Sequence, residues 1–313
     1  VQAEKIVILN QPLMQIAMYA CIVAVIYFGG TMVIGGNMLI GQLSSFITYI
    51  TQILMSLMML SMIFVMTTIS MASMHRIVEI FDEVPDINDD NADPALLPAD
   101  GSIVFDNVSF SYAKDENKLN LKNIDLNIRS GETIGVIGGT GSAKSTLVQL
   151  IPRLYDVTDG RILVGGHDVR DYKIDNLRNE VAMVLQKNVL FSGTIKDNLR
   201  WGDENATDEE IIEACKQAQA HDFVMNFPDG YDTDLGQGGV NVSGGQKQRL
   251  CIARALLKKP KIVILDDSTS AVDTATDANI RHAFRTELAD TTTIIIAQRI
   301  SSVSEADRII VLD

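Results

Sequence analysis

Hydrophobic positions are distributed along this chain in two different ways. An uncharged, mainly apolar stretch runs from Leu13 to Ile34, and a second uncharged stretch from Leu39 to Met74, with Gly35, Gly36 and Asn37 between them. As a helix the first spans about 33 Å, enough to cross a hydrocarbon core of about 30 Å. The second is longer than one crossing needs, so its last turns are expected to continue as helix beyond the membrane. Helix, short turn and returning helix is the predicted arrangement. A cleaved signal peptide is the rival explanation of the first run. It would need a clear small-residue cleavage site, which is lacking, and a second apolar run follows at once.

Beyond residue 100 the apolar runs are short. Ser102–Ser111 and Leu121–Ile128 alternate apolar and polar residues, predicting an antiparallel layer with one covered face. Thr133–Ile137, Val181–Leu185, Ile262–Leu265, Thr293–Ala297 and Ile309–Leu312 are β-branched and apolar, as strands buried on both faces must be. Helical periodicity lies between several of them, most clearly over Asp208–Gln219 and Gly245–Leu257. The sum is a membrane helical segment followed by an α/β domain, with an antiparallel β layer and a helical insertion around residues 194–240. Gly165-Gly166, between Arg161–Val164 and His167–Val169, carries the chemistry of a hairpin turn.

Charge sharpens this division. Of 313 residues 21% are charged and the net charge is −14, yet only Glu4 and Lys5 are charged before Arg76, and eleven of the 13 methionines precede that position. Arg76, just past the second apolar run, places that end on the cytoplasmic side. Glu79–Asp100 holds eight acidic residues, no basic ones and three prolines, so residues 82–100 are expected to form a solvated acidic linker between a membrane part (residues 1–81) and a soluble domain (101–313). The acidic balance argues against binding to nucleic acid. Three cysteines form no paired framework and four scattered histidines form no metal cluster.

The first chemistry-bearing segment is Gly138-Gly139-Thr140-Gly141-Ser142-Ala143-Lys144-Ser145-Thr146, placed after the strand Thr133–Ile137 and before the helical pattern Ser145–Leu154. A glycine-rich loop between strand and helix wraps phosphates with backbone N–H groups, aided by the helix N-terminus. Lys144 would neutralise the β- and γ-phosphates of ATP, and the Ser145 hydroxyl would ligate Mg²⁺. Glycine is usual before the lysine, and the Ala143 found here would be strained if the position needs positive φ. A second segment, Lys261–Asp267, is a buried strand ending in Asp266, placed to hold the same Mg²⁺. In a third, Asn241–Arg249, Ser243 and Gln246 have capping-box spacing, and Gly244 and Gly245 bare the backbone of the same helix start.

Together the three segments closely resemble those of ATP-binding cassette transporters, the third being that family's signature. The resemblance covers nearly the whole chain: residues 1–81 are similar to the last two transmembrane helices of an exporter half, and residues 101–313 to its nucleotide-binding domain. It implies that Tyr112 stacks on adenine, that Gln186 contacts Mg²⁺ and senses the membrane domain, and that Ser270-Ala271-Val272-Asp273 crosses between two paired domains. In such a pair each ATP lies between one chain's phosphate loop and the other chain's signature, and closure drives export of a substrate.

Three positions depart from the family pattern. Asp267 stands where the family has a catalytic glutamate, Gln298 where it has a switch histidine, and Ala143 where it has glycine, while Ser243–Gln246 is intact. Shortening an acid by a methylene withdraws its carboxylate by roughly 1 Å, and such a misplacement can cost about 10²-fold in rate. Glutamine cannot carry a proton at neutral pH. The economical expectation is a heterodimeric exporter whose slow, degenerate site is this chain's phosphate loop with Lys144, Asp266, Asp267 and Gln298, while its signature completes the fast site of a partner. A slow homodimeric exporter and a regulatory subunit that never hydrolyses ATP are the alternatives, with a soluble DNA-repair type of cassette ATPase further away.

Other features have bland and sharp explanations side by side. Gln42, Ser45, Tyr49, Gln52 and Ser56 share one helix face, with Met55, Met59, Met62 and Met66 beside them; they either glue helices together or line a pathway for varied amphipathic substrates. Trp201 is expected to pack the helical insertion, and Cys251 to be a buried small hydrophobe. Gly236-Gln237-Gly238-Gly239 is either a plain loop or a contact for a second exporter half.

Overall fold

The computed structural model describes residues 2–115, 117–267, 274–287, 290–298 and 300–313. It divides into two compact units, one ending at Pro85 and the other beginning at Asp86.

The first unit is a helical pair, α1 (Gln2–Ile34) and α2 (Ile40–Phe81). The sequence predicts the first helix from Leu13, but α1 begins at Gln2 and runs through Pro12. Proline within a helix is tolerated in membrane segments, where neighbouring groups re-satisfy the freed carbonyl. Over Pro12–Ile34 and Ile40–Phe81 the helices are long and apolar enough to cross a bilayer. The turn between them is a Schellman closure: Asn37 N–H donates to the Met32 carbonyl, Gly36 N–H to that of Val33, and Gly36 takes φ +75°. The helices approach closely at Gly29, where a side chain would collide with Leu43. Hydroxyls along α2 turn inward onto their own helix, Ser45 onto the Gly41 carbonyl, Thr48 onto Ser44, Ser56 onto Gln52 and Thr67 onto Ile63. That back-bonding lets polar side chains sit in an apolar solvent.

The second unit begins with β1 (Ile103–Phe110), β2 (Leu121–Ile128), β3 (Thr133–Gly138), α3 (Lys144–Gln149), β4 (Asp159–Val164) and β5 (His167–Asp168). It continues with α4 (Ile174–Glu180), β6 (Val181–Val184), α5 (Ile195–Arg200), α6 (Asp208–Gln217), α7 (His221–Met225) and α8 (Gly244–Leu257). It ends with β7 (Ile262–Asp266), α9 (Thr274–Glu287), β8 (Thr292–Ile296) and β9 (Arg308–Leu312). β2-β1-β4-β5 form an antiparallel sheet, and β6-β7-β8-β3-β9 a second sheet in which every pairing is parallel. The hairpin expected at Gly165-Gly166 joins β4 to β5, with φ +55° and +89°, values that a two-residue primed turn requires and glycine supplies.

The continuous apolar runs have their predicted explanation. In β7, Ile262 and Ile264 face a core shared with the antiparallel sheet, while Val263 and Leu265 face a second core shared with the helical insertion and α8. Successive side chains of a strand point to opposite faces, so a strand covered on both sides must be apolar throughout.

Residues 86–100 are mostly exposed, as their acidic composition suggests, and are also held by hydrogen bonds. Asp89 accepts from the Ile174 N–H, Asp93 N–H donates to the Asp171 carbonyl, and the Asn176 amide donates to the Pro94 and Leu96 carbonyls. Their acids and carbonyls meet local donors, which composition alone does not disclose. They lie on the soluble unit, and the chain divides at Pro85 rather than near residue 100.

Candidate functional site

β3 ends at Gly138, paired with Leu312 of β9, and there the glycine-rich loop begins. Ala143 caps α3 in the left-handed region, with φ +60° and ψ +22°. The position does need positive φ, so alanine carries a strain that glycine would not. The regular helix after the loop has only six residues, shorter than the pattern Ser145–Leu154 suggests; Arg153 takes φ +50° and the segment closes in turns. A helix this short adds little dipole, so the loop N–H groups would carry most of any phosphate binding.

Lys144 folds over its own loop. Its Nζ donates to the carbonyls of Gly138 at 2.9 Å and Gly139 at 2.7 Å and to Ser142 Oγ at 3.3 Å. Ser145, on the first turn of α3, places its hydroxyl beside Asp266 at the end of β7. Burial pushes the Asp266 carboxyl above its usual range, against the lowering effects of the Ser145 hydrogen bond and the Lys144 charge. A desolvated carboxylate beside a hydroxyl is an all-oxygen set, which fits a hard cation such as Mg²⁺. No cluster of three or more acidic, histidine or cysteine side chains with metal-holding geometry exists among the described residues.

Tyr112, just beyond β1, places its hydroxyl 3.1 Å from Thr146 Oγ1 and 3.3 Å from Gln149 Oε1. Its ring packs edge-on against Phe110 and Tyr155 and remains half exposed. The ring is thereby fixed beside the helix that follows the loop.

Gln186, Asp267 and Gln298 follow β6, β7 and β8, three neighbouring strands. Asp267 Oδ2 accepts from Gln298 Nε2 at 2.9 Å and from Gln186 Nε2 at 3.2 Å. Ser243, Gly244, Gly245 and Gln246 start α8, where the expected capping box is present in both directions: Gln246 N–H to Ser243 Oγ, and Ser243 N–H to Gln246 Oε1 at 2.8 Å. Lys247 Nζ reaches the Gly238 carbonyl at 2.8 Å and ties the glycine loop to this helix. Ser270-Ala271-Val272-Asp273 lies outside the described residues.

One expectation is corrected: Trp201 does not pack inside the helical insertion but is 68% exposed and stacks on Phe191 at 4.7 Å. Cys251 is a partly buried hydrophobe packed against the core, its Sγ 3.8 Å from the Val189 carbonyl. Asn198, 2% exposed and without a motif of its own, bonds Phe191, Thr194 and Arg254. A signal for this region existed in Thr194-x-x-Asp197 and Thr207-x-x-Glu210, both capping boxes in the structure.

The sequence profile of the ABC transporter family matches residues 121–270. A Staphylococcus aureus protein named "Putative multidrug export ATP-binding/permease protein" is 50% identical over 213 residues, 68% of this chain and 37% of that protein. A Bacillus subtilis protein of the same description is 49% identical over 223 residues, 70% of this chain and 38% of the relative. The chain thus spans less than half the length of these curated relatives. A solved bacterial Atm1-family ABC exporter with ATP bound superposes with a TM-score of 0.87 at 33% identity, covering 99% of this chain and 54% of that one. With the glycine-rich loop, the strand-end acid and the capped helix α8 in place, the chain belongs to the ATP-binding cassette transporter family.

Proposed function

We propose that this chain is part of one half of an ATP-driven exporter, and that its own ATP site is the slow member of an unequal pair. Residues 138–146 bind the phosphates, Lys144 neutralises them, and Tyr112 stacks on adenine. Ser145, Asp266 and Gln186 hold Mg²⁺, whose chemistry is to neutralise phosphate charge during transfer. Ser243, Gly244, Gly245 and Gln246 complete the ATP site of a second half. Helices α1 and α2 sit in the bilayer with the nucleotide-binding domain on the cytoplasmic side, and domain closure moves a substrate outward.

The observation that carries the reading is the contrast between two sets of residues. Ala143, Asp267 and Gln298 depart from the family pattern around the phosphate loop, Ala143 with left-handed strain, whereas Ser243 and Gln246 retain a complete capping box. Slow chemistry on one side and a sound signature on the other are what a heterodimer with one competent site requires.

ATPase activity of the full-length polypeptide in lipid tests this, alone and with a candidate second half. The unequal pair predicts near silence alone, turnover with the second half, and loss of that turnover when Ser243 and Gly244 are replaced. Combining Asp267→Glu with Gln298→His should raise turnover of the chain alone. Ordinary turnover by the unaltered chain alone would sink the proposal in favour of a homodimer.

A further inference from the structure

The parallel register brings three distant residues to one place. Val184 pairs with Leu265, and Leu265 with Ile295, so β6, β7 and β8 end almost level. Gln186 and Asp267 follow that line by two residues and Gln298 by three. Asp267 is fixed at backbone and side chain alike. Its N–H donates to the Ile296 carbonyl at 3.0 Å, its backbone takes φ +49°, and one oxygen, Oδ2, accepts both glutamine amides. A non-glycine residue holds such a conformation where its surroundings over-determine it.

The chemistry of this contact is directional. A carboxylate only accepts hydrogen bonds, so each glutamine must turn its nitrogen toward Asp267. For Gln186 that choice has a consequence, because an amide ligates a hard cation through oxygen and not through nitrogen. Fixing the nitrogen fixes which end of the side chain remains for a metal. The two donors also take lone-pair positions on the oxygen that a water molecule would otherwise approach.

We propose that Asp267 is a positioning residue in this site. By accepting from Gln186 Nε2 it presents the Gln186 carbonyl oxygen as a ligand for the Mg²⁺ that accompanies ATP, and Gln298 braces Asp267 in that role. What the position keeps from its acidic side chain is an acceptor, with proton removal from water no part of its work. This inference rests on the reading of residues 138–146 as an ATP phosphate loop.

ATP affinity of the full-length polypeptide, purified without a second half and measured in Mg²⁺ and in EDTA, separates the possibilities. Asp267→Ala should weaken binding in Mg²⁺ by about tenfold, as loss of a group that orients a metal ligand typically does. Binding in EDTA should stay within about twofold, less than 0.5 kcal/mol. Asp267→Asn keeps an oxygen that accepts both amides, and should remain within about threefold of the unaltered protein in Mg²⁺. Gln186→Ala should reproduce the loss seen with Asp267→Ala. Equal losses in the Asn and Ala variants would overturn the inference, since charge and not acceptance would then matter. Unchanged Mg²⁺-dependent binding in Asp267→Ala would overturn it too, and so would a loss of equal size in EDTA. Failure of the unaltered protein to bind ATP in either condition would remove the phosphate-loop reading itself, and the inference with it.

Discussion

Arg254 and Asn198 fasten the signature helix to the segment that follows Gln186. Arg254 Nε donates to the Asn198 backbone oxygen at 2.8 Å and Nη2 to Asn198 Oδ1 at 3.2 Å, while Nη1 reaches the Val189 carbonyl at 3.2 Å. Burial lowers the Arg254 pKa. Arg254→Ala removes three hydrogen bonds and the packing of a largely buried side chain, and should cost about 2–4 kcal/mol. In a domain of this size each kcal/mol lowers Tm by about 2–4 °C, which calorimetry reads directly. Arg254→Lys should recover less than half, because one ammonium cannot reproduce the planar fork.

Ala143 occupies a left-handed position at the head of α3. An L-residue there costs about 1–2 kcal/mol, part of which returns because glycine loses more chain entropy on folding. Ala143→Gly should therefore raise nucleotide-free stability by about 0.5–1 kcal/mol, and β-branched Ala143→Val should lower it. A Tm order of Gly, Ala, Val, from high to low, is the expected result.

Asp168, in β5, predicts a pH dependence. Burial works against its charge, yet hydrogen bonds from the Arg170 side chain and backbone N–H, with the nearby charges of Arg170 and Arg153, hold its carboxyl below the usual range. A lowered folded pKa contributes stability above the unfolded value near 3.8, lost as pH falls through the folded value. Asp168→Asn should cost about 1 kcal/mol at neutral pH, the Arg170 side chain being 44% exposed and the pair partly screened. The gap between variant and parent in urea midpoint should close as the pH is taken below about 4.

Ser243 caps α8, and Ser243→Ala should lower stability by about 1 kcal/mol, while Ser243→Gly should cost only a few tenths. Chemical denaturation distinguishes the two. If Ser243→Gly proves as damaging as Ala, the cap is not what the serine contributes to the fold.

The strands, the hairpin and the signature cap were legible because each rests on local chemistry: alternation, a Gly-Gly pair, and Ser-x-x-Gln spacing. The contact between Gln186 and Asp267 was not, since 81 residues separate them and only the sheet register joins them. The left-handed backbone of Asp267 was equally hidden, because no residue type announces it. The bonds that hold the acidic stretch were hidden for a similar reason. Its residues are mostly exposed, as composition predicts, but the Ile174 N–H that meets Asp89 lies 85 residues away in sequence. Trp201 was expected to pack the helical insertion, and tertiary structure left it stacked on Phe191 at the surface.

The level ends of β6, β7 and β8 have a consequence for how such a domain changes over generations. The positions of Gln186, Asp267 and Gln298 are inherited from the backbone ladder of three strands, whose buried residues are other ones. Exchanging the side chains at these three places leaves the ladder untouched. The chemistry offered at these strand ends can therefore change by a few substitutions while the fold that carries them stays the same.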